Sequence, residues 1–180
     1  MKKTVALIGD NVNLPGSLIR YINNTYPDPV DLELIELSYK IDMDCFNSIN
    51  PDIVVYTCYE YWSSRRIFRN IWKLFRDKLV LLNADDEELF EKLATVDDVK
   101  KLSYSVGCSF RQFFAGDIVK DEQGLYKFEY YSLKHSRGIR TDISVSYDEM
   151  QAVVLSLALC ELLDINVYAA IRSLYNYFSK

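Results

Sequence analysis

One histidine, His135, occurs in the whole sequence. A site that needs two imidazoles therefore cannot be built from a single chain. The four cysteines, Cys45, Cys58, Cys108 and Cys160, stand too far apart to form a zinc-type pair. Three of them lie in apolar stretches and read as small buried hydrophobes. No apolar run approaches the roughly 18 to 20 residues that span a bilayer, so no membrane partner is expected. The N-terminus, Met1-Lys2-Lys3-Thr4-Val5-Ala6-Leu7-Ile8-Gly9-Asp10, is too short in apolar residues for a signal peptide and offers no small-residue cleavage site. The expected location is cytoplasmic, where a disulfide framework is not favoured. Positive charge is also scarce: 21 Lys and Arg stand against 26 Asp and Glu, a net charge of −5. A dedicated nucleic-acid binder needs a basic face to displace counterions, so no nucleic-acid partner is expected. Repeats, low-complexity stretches and linkers are absent from the sequence.

Aromatic residues are plentiful, with 14 Tyr, 9 Phe and 2 Trp. They should fill the core and supply an interface. Hydrophobic residues make up 49% of 180 residues, enough for one unstapled domain spanning 1–180.

The first half alternates strand and helix signals. Thr4 to Gly9 is a continuous apolar run, the mark of a strand buried on both faces. Pro15-Gly16-Ser17 opens a helix carrying Leu18, Ile19 and Ile22. Asp31 to Leu37 alternates as a second strand. A short helix is expected over about Asp42 to Ile49, with Met43, Phe46 and Ile49 on one face. Pro51-Asp52 leads into a third strand, Ile53 to Thr57. Ser63 to Arg76 reads as a basic amphipathic helix, and Lys78 to Leu82 as a fourth strand. Asp85-Asp86-Glu87-Glu88 opens a helix whose first turn the helix dipole favours as acidic.

Beyond about residue 98 the pattern changes. Lys100–Val106, Gln112–Lys120, Leu125–Leu133 and Arg140–Val145 are expected as four antiparallel strands, with a hairpin turn at Asp121-Glu122-Gln123-Gly124. Two helices follow, Asp148–Leu163 and Val167–Phe178, with Asn166 as the N-cap of the second. The fold class is therefore α/β. It combines a mostly parallel Rossmann-like sheet flanked by helices, an antiparallel strand extension and two C-terminal helices.

A strand, a Gly and a helix are where an α/β fold places a phosphate-binding loop. The loop Gly9-Asp10-Asn11-Val12-Asn13-Leu14-Pro15-Gly16-Ser17 fits neither the dinucleotide glycine pattern nor the Walker pattern. No Lys precedes Ser17, and Asp10 would repel phosphate.

Four stretches resemble the central, ATP-binding domain of the Mur ligases and their folylpolyglutamate synthetase relatives. Val5-Ala6-Leu7-Ile8-Gly9-Asp10-Asn11 is similar to the strand and start of the family's G-T-N-G-K-T-T loop. Leu34-Ile35-Glu36-Leu37-Ser38 resembles the strand bearing its E-x-S segment. Pro51 to Thr57 resembles its P-D-I-A-V-x-T strand. Leu81-Leu82-Asn83-Ala84-Asp85-Asp86 matches its V-L-N-A-D-D. Further likeness runs in family order through Ser105-Val106-Gly107, Ala115 to Ile118, Gln151 to Ala158 and Leu163-Asp164-Ile165, so the resemblance spans about Lys3 to Ser179.

The resemblance implies a nucleotide site at Gly9, Asn11, Asn13, Asn83 and Asp86, and a metal carboxylate at Glu36, all in vestigial form. Asn13 replaces the family's P-loop Lys, and Leu14 replaces its magnesium-binding Thr. The polar catalytic segment after Thr57 reads Cys58-Tyr59-Glu60-Tyr61-Trp62. Arginines Arg65, Arg66 and Arg69 lie near the place of the family's modified lysine. The H-N-x-x-N segment is replaced by about Tyr147 to Gln151. The family's flanking domains have no counterpart in the sequence. Without that Thr and the phosphates Glu36 has little to coordinate, and an exposed strand-end glutamate is the preferred reading of the residue itself. Asn83 and Asp86 equally read as a loop that caps the next helix.

The implied function is a non-catalytic, Mur ligase-like binding or regulatory module linked to cell-wall precursor metabolism. No cofactor is expected beyond weak ATP and magnesium binding, and no catalytic residue is assigned. The alternative is a subunit of an ATP-dependent acid–amino acid ligase whose missing groups come from a partner. A third reading is a generic Rossmann-like domain that binds a small acidic metabolite. A protein partner or homo-oligomer is expected. Tyr59, Tyr61 and Trp62 serve either as that interface or as a plug in the vacated cleft.

Overall fold

A computed structural model describes residues 2–9, 11–37, 49–57, 77–94, 99–109 and 111–179. The expected basic helix over 63–76 and the expected helix over 42–49, save Ile49, lie outside these residues. So do Tyr59, Tyr61, Trp62, Arg65, Arg66 and Arg69. The elements in chain order are β1 (Lys3–Ile8), α1 (Asn13–Thr25), β2 (Leu32–Leu37), β3 (Ile53–Tyr56), β4 (Leu79–Asn83), α2 (Glu87–Ala94), β5 (Lys100–Ser105), β6 (Phe113–Lys120), β7 (Tyr126–Ser132), β8 (Ile139–Arg140), α3 (Tyr147–Leu162) and α4 (Val167–Phe178). They form an α/β fold divided into two compact units.

The first unit comprises Met1–Asn13 and Asp31–Ser103. Its strand order is β2-β1-β3-β4-β5. Strands β1 to β4 are mutually parallel, in register from Lys3↔Leu32 through Val5↔Ile53 to Ile53↔Leu79. The reason lies in their side chains. Val5, Leu7, Val55 and Leu81 are fully buried, and Ala6, Ile8, Val54 and Leu82 nearly so. Strands covered on both faces read as unbroken apolar runs, and parallel pairing is the arrangement that covers both faces. β2 is less buried and alternates imperfectly. It ends the strand order on its side, and its exposed Glu33 pairs with Lys2 at 3.2 Å. Lys2 and the Thr4 hydroxyl hold the Glu33 carboxyl below its usual value. Charge on an outer strand discourages further strand addition.

The second unit comprises Leu14–Val30 and Tyr104–Lys180, with the order β5-β6-β7-β8. Here the expectation of four antiparallel strands is corrected. β6 pairs β7 and β7 pairs β8 antiparallel, but β5 pairs β6 parallel, at Tyr104↔Phe113 and Ser105↔Phe114. Parallel neighbours usually need a long crossover because the chain must return to its starting end. Only the end of β5 overlaps the start of β6, so the chain between them need only step sideways. The expected strand Arg140–Val145 reduces to the two residues of β8 and a bridge between Tyr126 and Val145. The hairpin turn forms as expected. Asp121 Oδ1 accepts the Gln123 and Leu125 amides at 2.9 Å each, and Gly124 takes a left-handed φ of 85°.

Helix α3 is held at its start by reciprocal caps. Ser146 Oγ accepts the Glu149 amide, and Glu149 Oε2 accepts the Ser146 amide at 2.8 Å. Every residue from Ala152 to Glu161 is buried, which marks a central helix rather than a surface one. Asn166 caps α4 as expected, accepting the Ala169 amide at 3.1 Å. Helix α1 runs beside α4: Tyr21 packs edge-on against Tyr177, and the Thr25 hydroxyl donates to Ser173 at 2.8 Å. His135, in the loop between β7 and β8, is partly covered and packs edge-on against Tyr168. No helix among the described residues is long and apolar enough to cross a membrane.

Two substitutions in α3 should separate burial from capping. Leu157→Ala, at a fully buried position, should lower stability by about 2 to 5 kcal/mol. Ser146→Ala should cost about 1 kcal/mol through the lost cap. Urea unfolding followed by circular dichroism measures both; equal costs would show that α3 is not the buried helix described.

Candidate functional site

Parallel strands end together. The carboxyl ends of β1, β2, β3 and β4 therefore lie along one edge of the first unit. The chain leaves β1 for β2 on one side, and β3 lies on the other. Such a switch point is where open α/β sheets place ligands.

The strand ends are tied to one another by polar groups. The Gly9 amide donates to the Leu37 carbonyl at 3.2 Å, joining β1 to β2. The Thr57 amide donates to the Ile8 carbonyl at 3.0 Å, and its hydroxyl reaches the same oxygen at 3.2 Å. Asn83 Nδ2 then donates to the Thr57 carbonyl at 3.0 Å, and its Oδ1 accepts the Asp85 amide at 3.1 Å. One chain of bonds thus runs from β4 through β3 to β1. Asn83 is only 7% exposed, and both ends of its amide are engaged within the protein. Buried amides need such partners.

The turn after β1 is shaped by its backbone. Gly9 has a φ of 130° and Asn11 a φ of 56°, values that suit Gly and Asn and strain most other residues. Asn11 and Asn13 are exposed, whereas Val12 is 2% exposed and anchors the turn. Asn13 opens α1. Asp86 is the residue before α2, and its carbonyl accepts the Phe90 amide at 2.9 Å.

The structure brings Gly9, Thr57, Asn83 and the Asp85 amide into the connected strand-end edge. Glu36 lies on β2 one residue before Leu37, opposite Leu7. It is not the exposed strand-end glutamate that was expected: it is partly covered, and its Oε1 is buried. Thr57 is the member that sequence reasoning did not single out. Its signal was present, as a hydroxyl closing the apolar run Ile53-Val54-Val55-Tyr56.

The charge of this edge is one-sided. The described residues Gly9, Asn11 to Asn13, Glu36, Leu37, Thr57 and Asn83 to Glu88 include five carboxylates and no cation. Among the described residues no group of three or more His, Cys, Asp or Glu is placed to hold a metal ion. Cys160 is fully buried in α3, and burial together with the neighbouring Glu161 pushes its thiol far above the usual range. Such a thiol is not a nucleophile at neutral pH.

No family model and no curated protein matches the sequence. Solved structures do. A murein peptide ligase from Psychrobacter arcticus 273-4 is 12% identical with a TM-score of 0.72, over 97% of this chain and 46% of that one. A UDP-N-acetylmuramoyl-L-alanyl-D-glutamate–2,6-diaminopimelate ligase is 13% identical with a TM-score of 0.64, over 94% of this chain and 45% of that one. An FPGS–AMPPCP–folate complex is 11% identical with a TM-score of 0.67, over 97% of this chain and 62% of that one. The fold is that of the Mur ligase family. The chain spans less than half the length of the first two of these ligases and about three fifths of the third. Identities this low carry the fold and not the activity.

The clasp at Asn83 yields a pH-dependent prediction. Asn83→Asp keeps the acceptor for the Asp85 amide but turns a second oxygen toward the Thr57 carbonyl. At pH 7 it should cost about 1 to 3 kcal/mol. Burial and the facing carbonyl raise the folded pKa of the new carboxyl above its unfolded value of about 3.9. The deficit should therefore be smallest at low pH, where the protonated acid can donate, and should grow as pH rises. Urea midpoints of variant and parent at about pH 4.5 and pH 7 give the comparison. A deficit that does not change with pH would mean that Asn83 does not donate to Thr57.

Proposed function

We propose that the chain is a non-catalytic Mur ligase-like domain over residues 1–180, acting as a binding or regulatory module linked to cell-wall precursor metabolism. The observation that carries this reading is the strand-end edge, which bears carboxylates and no cation among its described residues. Phosphoryl transfer is almost entirely positioning and neutralisation of charge. A magnesium triphosphate placed at the start of α1 would meet Asn13 and Leu14, which supply neither an ammonium nor a hydroxyl. Buried Val12 and the neighbouring Asp10 do not replace them. The described residues do not fit that group, and no reaction step is assigned to it.

On this reading the protein acts through a protein surface, either with a second copy or with a partner. Tyr59, Tyr61 and Trp62 are the proposed contact, with inward packing against the strand ends as the other use of the same side chains.

A second reading is supported by the extent of the fold. The solved structures named above align with 94–97% of the chain, so almost all of it has a counterpart in them. The chain would then be a subunit of an ATP-dependent acid–amino acid ligase. Its cations would come from a partner together with Arg65, Arg66 and Arg69.

Calorimetry of the purified chain with ATP and magnesium tests the first reading. The first expects no hydrolysis and no saturable heat at micromolar concentrations. An affinity near 1 μM, about −8 kcal/mol, would contradict it.

A further inference from the structure

All 26 Asp and Glu fall outside three stretches of the sequence, residues 13–26, 132–141 and 165–180. In a chain with a net charge of −5 these stretches carry Arg20, Lys134, Arg137, Arg140, Arg172 and Lys180. Apart from Asn13, the described residues of all three belong to the second unit, and the structure brings them together. The Tyr21–Tyr177 ring contact, at 5.1 Å between centroids, and the Thr25–Ser173 hydrogen bond hold α1 along α4. The Asn166 amide meets the Tyr26 hydroxyl at 3.4 Å. The His135 ring stands 5.7 Å from that of Tyr168, edge-on, which fixes the β7–β8 loop beside the start of α4.

The face so formed is aromatic as well as basic. Tyr168, Arg172 and Tyr175 follow at helical spacing, and so share one side of α4 over about 10 Å. The opposite side, Val167, Ala170, Ile171 and Leu174, is buried. Tyr168 is 60% exposed, Tyr175 48% and Leu133 78%. Lys134, Arg137 and Arg172 are exposed and form no ion pair among the described residues. Arg140 is different, since Asp142 holds it at 2.6 Å, and it is left out of the face. The acids nearest in sequence, Asp10 and Asp28, Glu129 and Asp142, and Asp164, flank the stretches without entering them, and of these the Glu129 carboxylate lies against Gly138 of the loop.

We propose that this face of α4, with the β7–β8 loop, docks an acidic segment of a partner protein that carries apolar side chains between its carboxylates. Tyr and Arg are the side chains that contribute most at protein contacts, and clustered Arg and Lys select carboxylates. Charge decides the occupant. A symmetric contact between two copies would set Arg172 and Lys134 against their like. A nucleic acid would be repelled at long range by the rest of the chain and would find only a few cations here. An acidic peptide meets cations and exposed apolar rings together. The inference does not rest on the reading of the strand-end edge and survives its failure.

Fluorescence anisotropy of the full chain tests the proposal. The probes are a labelled peptide of alternating Glu and Leu, about 12 residues long, and a labelled oligothymidylate of equal charge. The peptide should bind more tightly than the oligonucleotide and should weaken as salt rises from about 50 to about 300 mM. Lys134→Glu with Arg172→Glu, both at exposed positions, should weaken the peptide about tenfold or more. Tyr168→Ala should weaken it further, while Lys127→Glu on β7 should not. Circular dichroism checks that each variant folds. Absence of peptide binding, equal or tighter binding of the oligonucleotide, or an unchanged affinity in the double charge reversal would overturn the proposal.

Discussion

Backbone pairing in strands that have no access to water is the constraint on which the first unit rests. β1 and β3 are buried on both faces, so their amides and carbonyls can be satisfied only sideways. A run such as Val5-Ala6-Leu7-Ile8 demands cover above and below, and parallel neighbours supply it. All four strands then end on one edge, and their last carbonyls face the same difficulty one residue further on. Thr57 and Asn83 resolve it. They carry the hydrogen bonding beyond the strands, from β4 through β3 to β1. The edge that would hold a ligand is in this way first a solution to a folding problem.

Much of this was legible in the sequence because apolar periodicity reports burial directly. The strands of the first half, the hairpin at Asp121 to Gly124 and the Asn166 cap each follow from a local signal, and the structure has them. The direction of β5 relative to β6 was not legible. It depends on how far two strands overlap, which no residue in the connection between them encodes. The alternating appearance of 140–145 was also misleading. Pairing there is limited by Asp142, which has a left-handed φ of 53° and binds Arg140, so the strand stops after two residues.

The candidate site divides in the same way. Gly9 was legible as the residue closing a buried strand, and its φ of 130° gives the reason. Asn83 was legible as a residue of consequence, but its attachment to the Thr57 carbonyl depends on β3 and β4 being neighbours. Glu36 was read as exposed from its place near a strand end, whereas the structure partly covers it and buries its Oε1. The basic aromatic face of α4 was hidden by the net charge, which averages over the chain. Its components lie in three separate stretches, and only the packing of α1, α4 and the β7–β8 loop joins them.

The central proposal is that the strand-end edge is complete among the described residues and offers no phosphate site there. Native-state hydrogen exchange at the Gly9, Thr57 and Asp85 amides tests it most directly. All three are bonded within the edge, and they should exchange only through large-scale opening. Their protection should be the same with and without millimolar ATP and magnesium. Weak protection in the free protein that rises sharply on adding the nucleotide would contradict the account, because it would show an edge that is finished by a ligand.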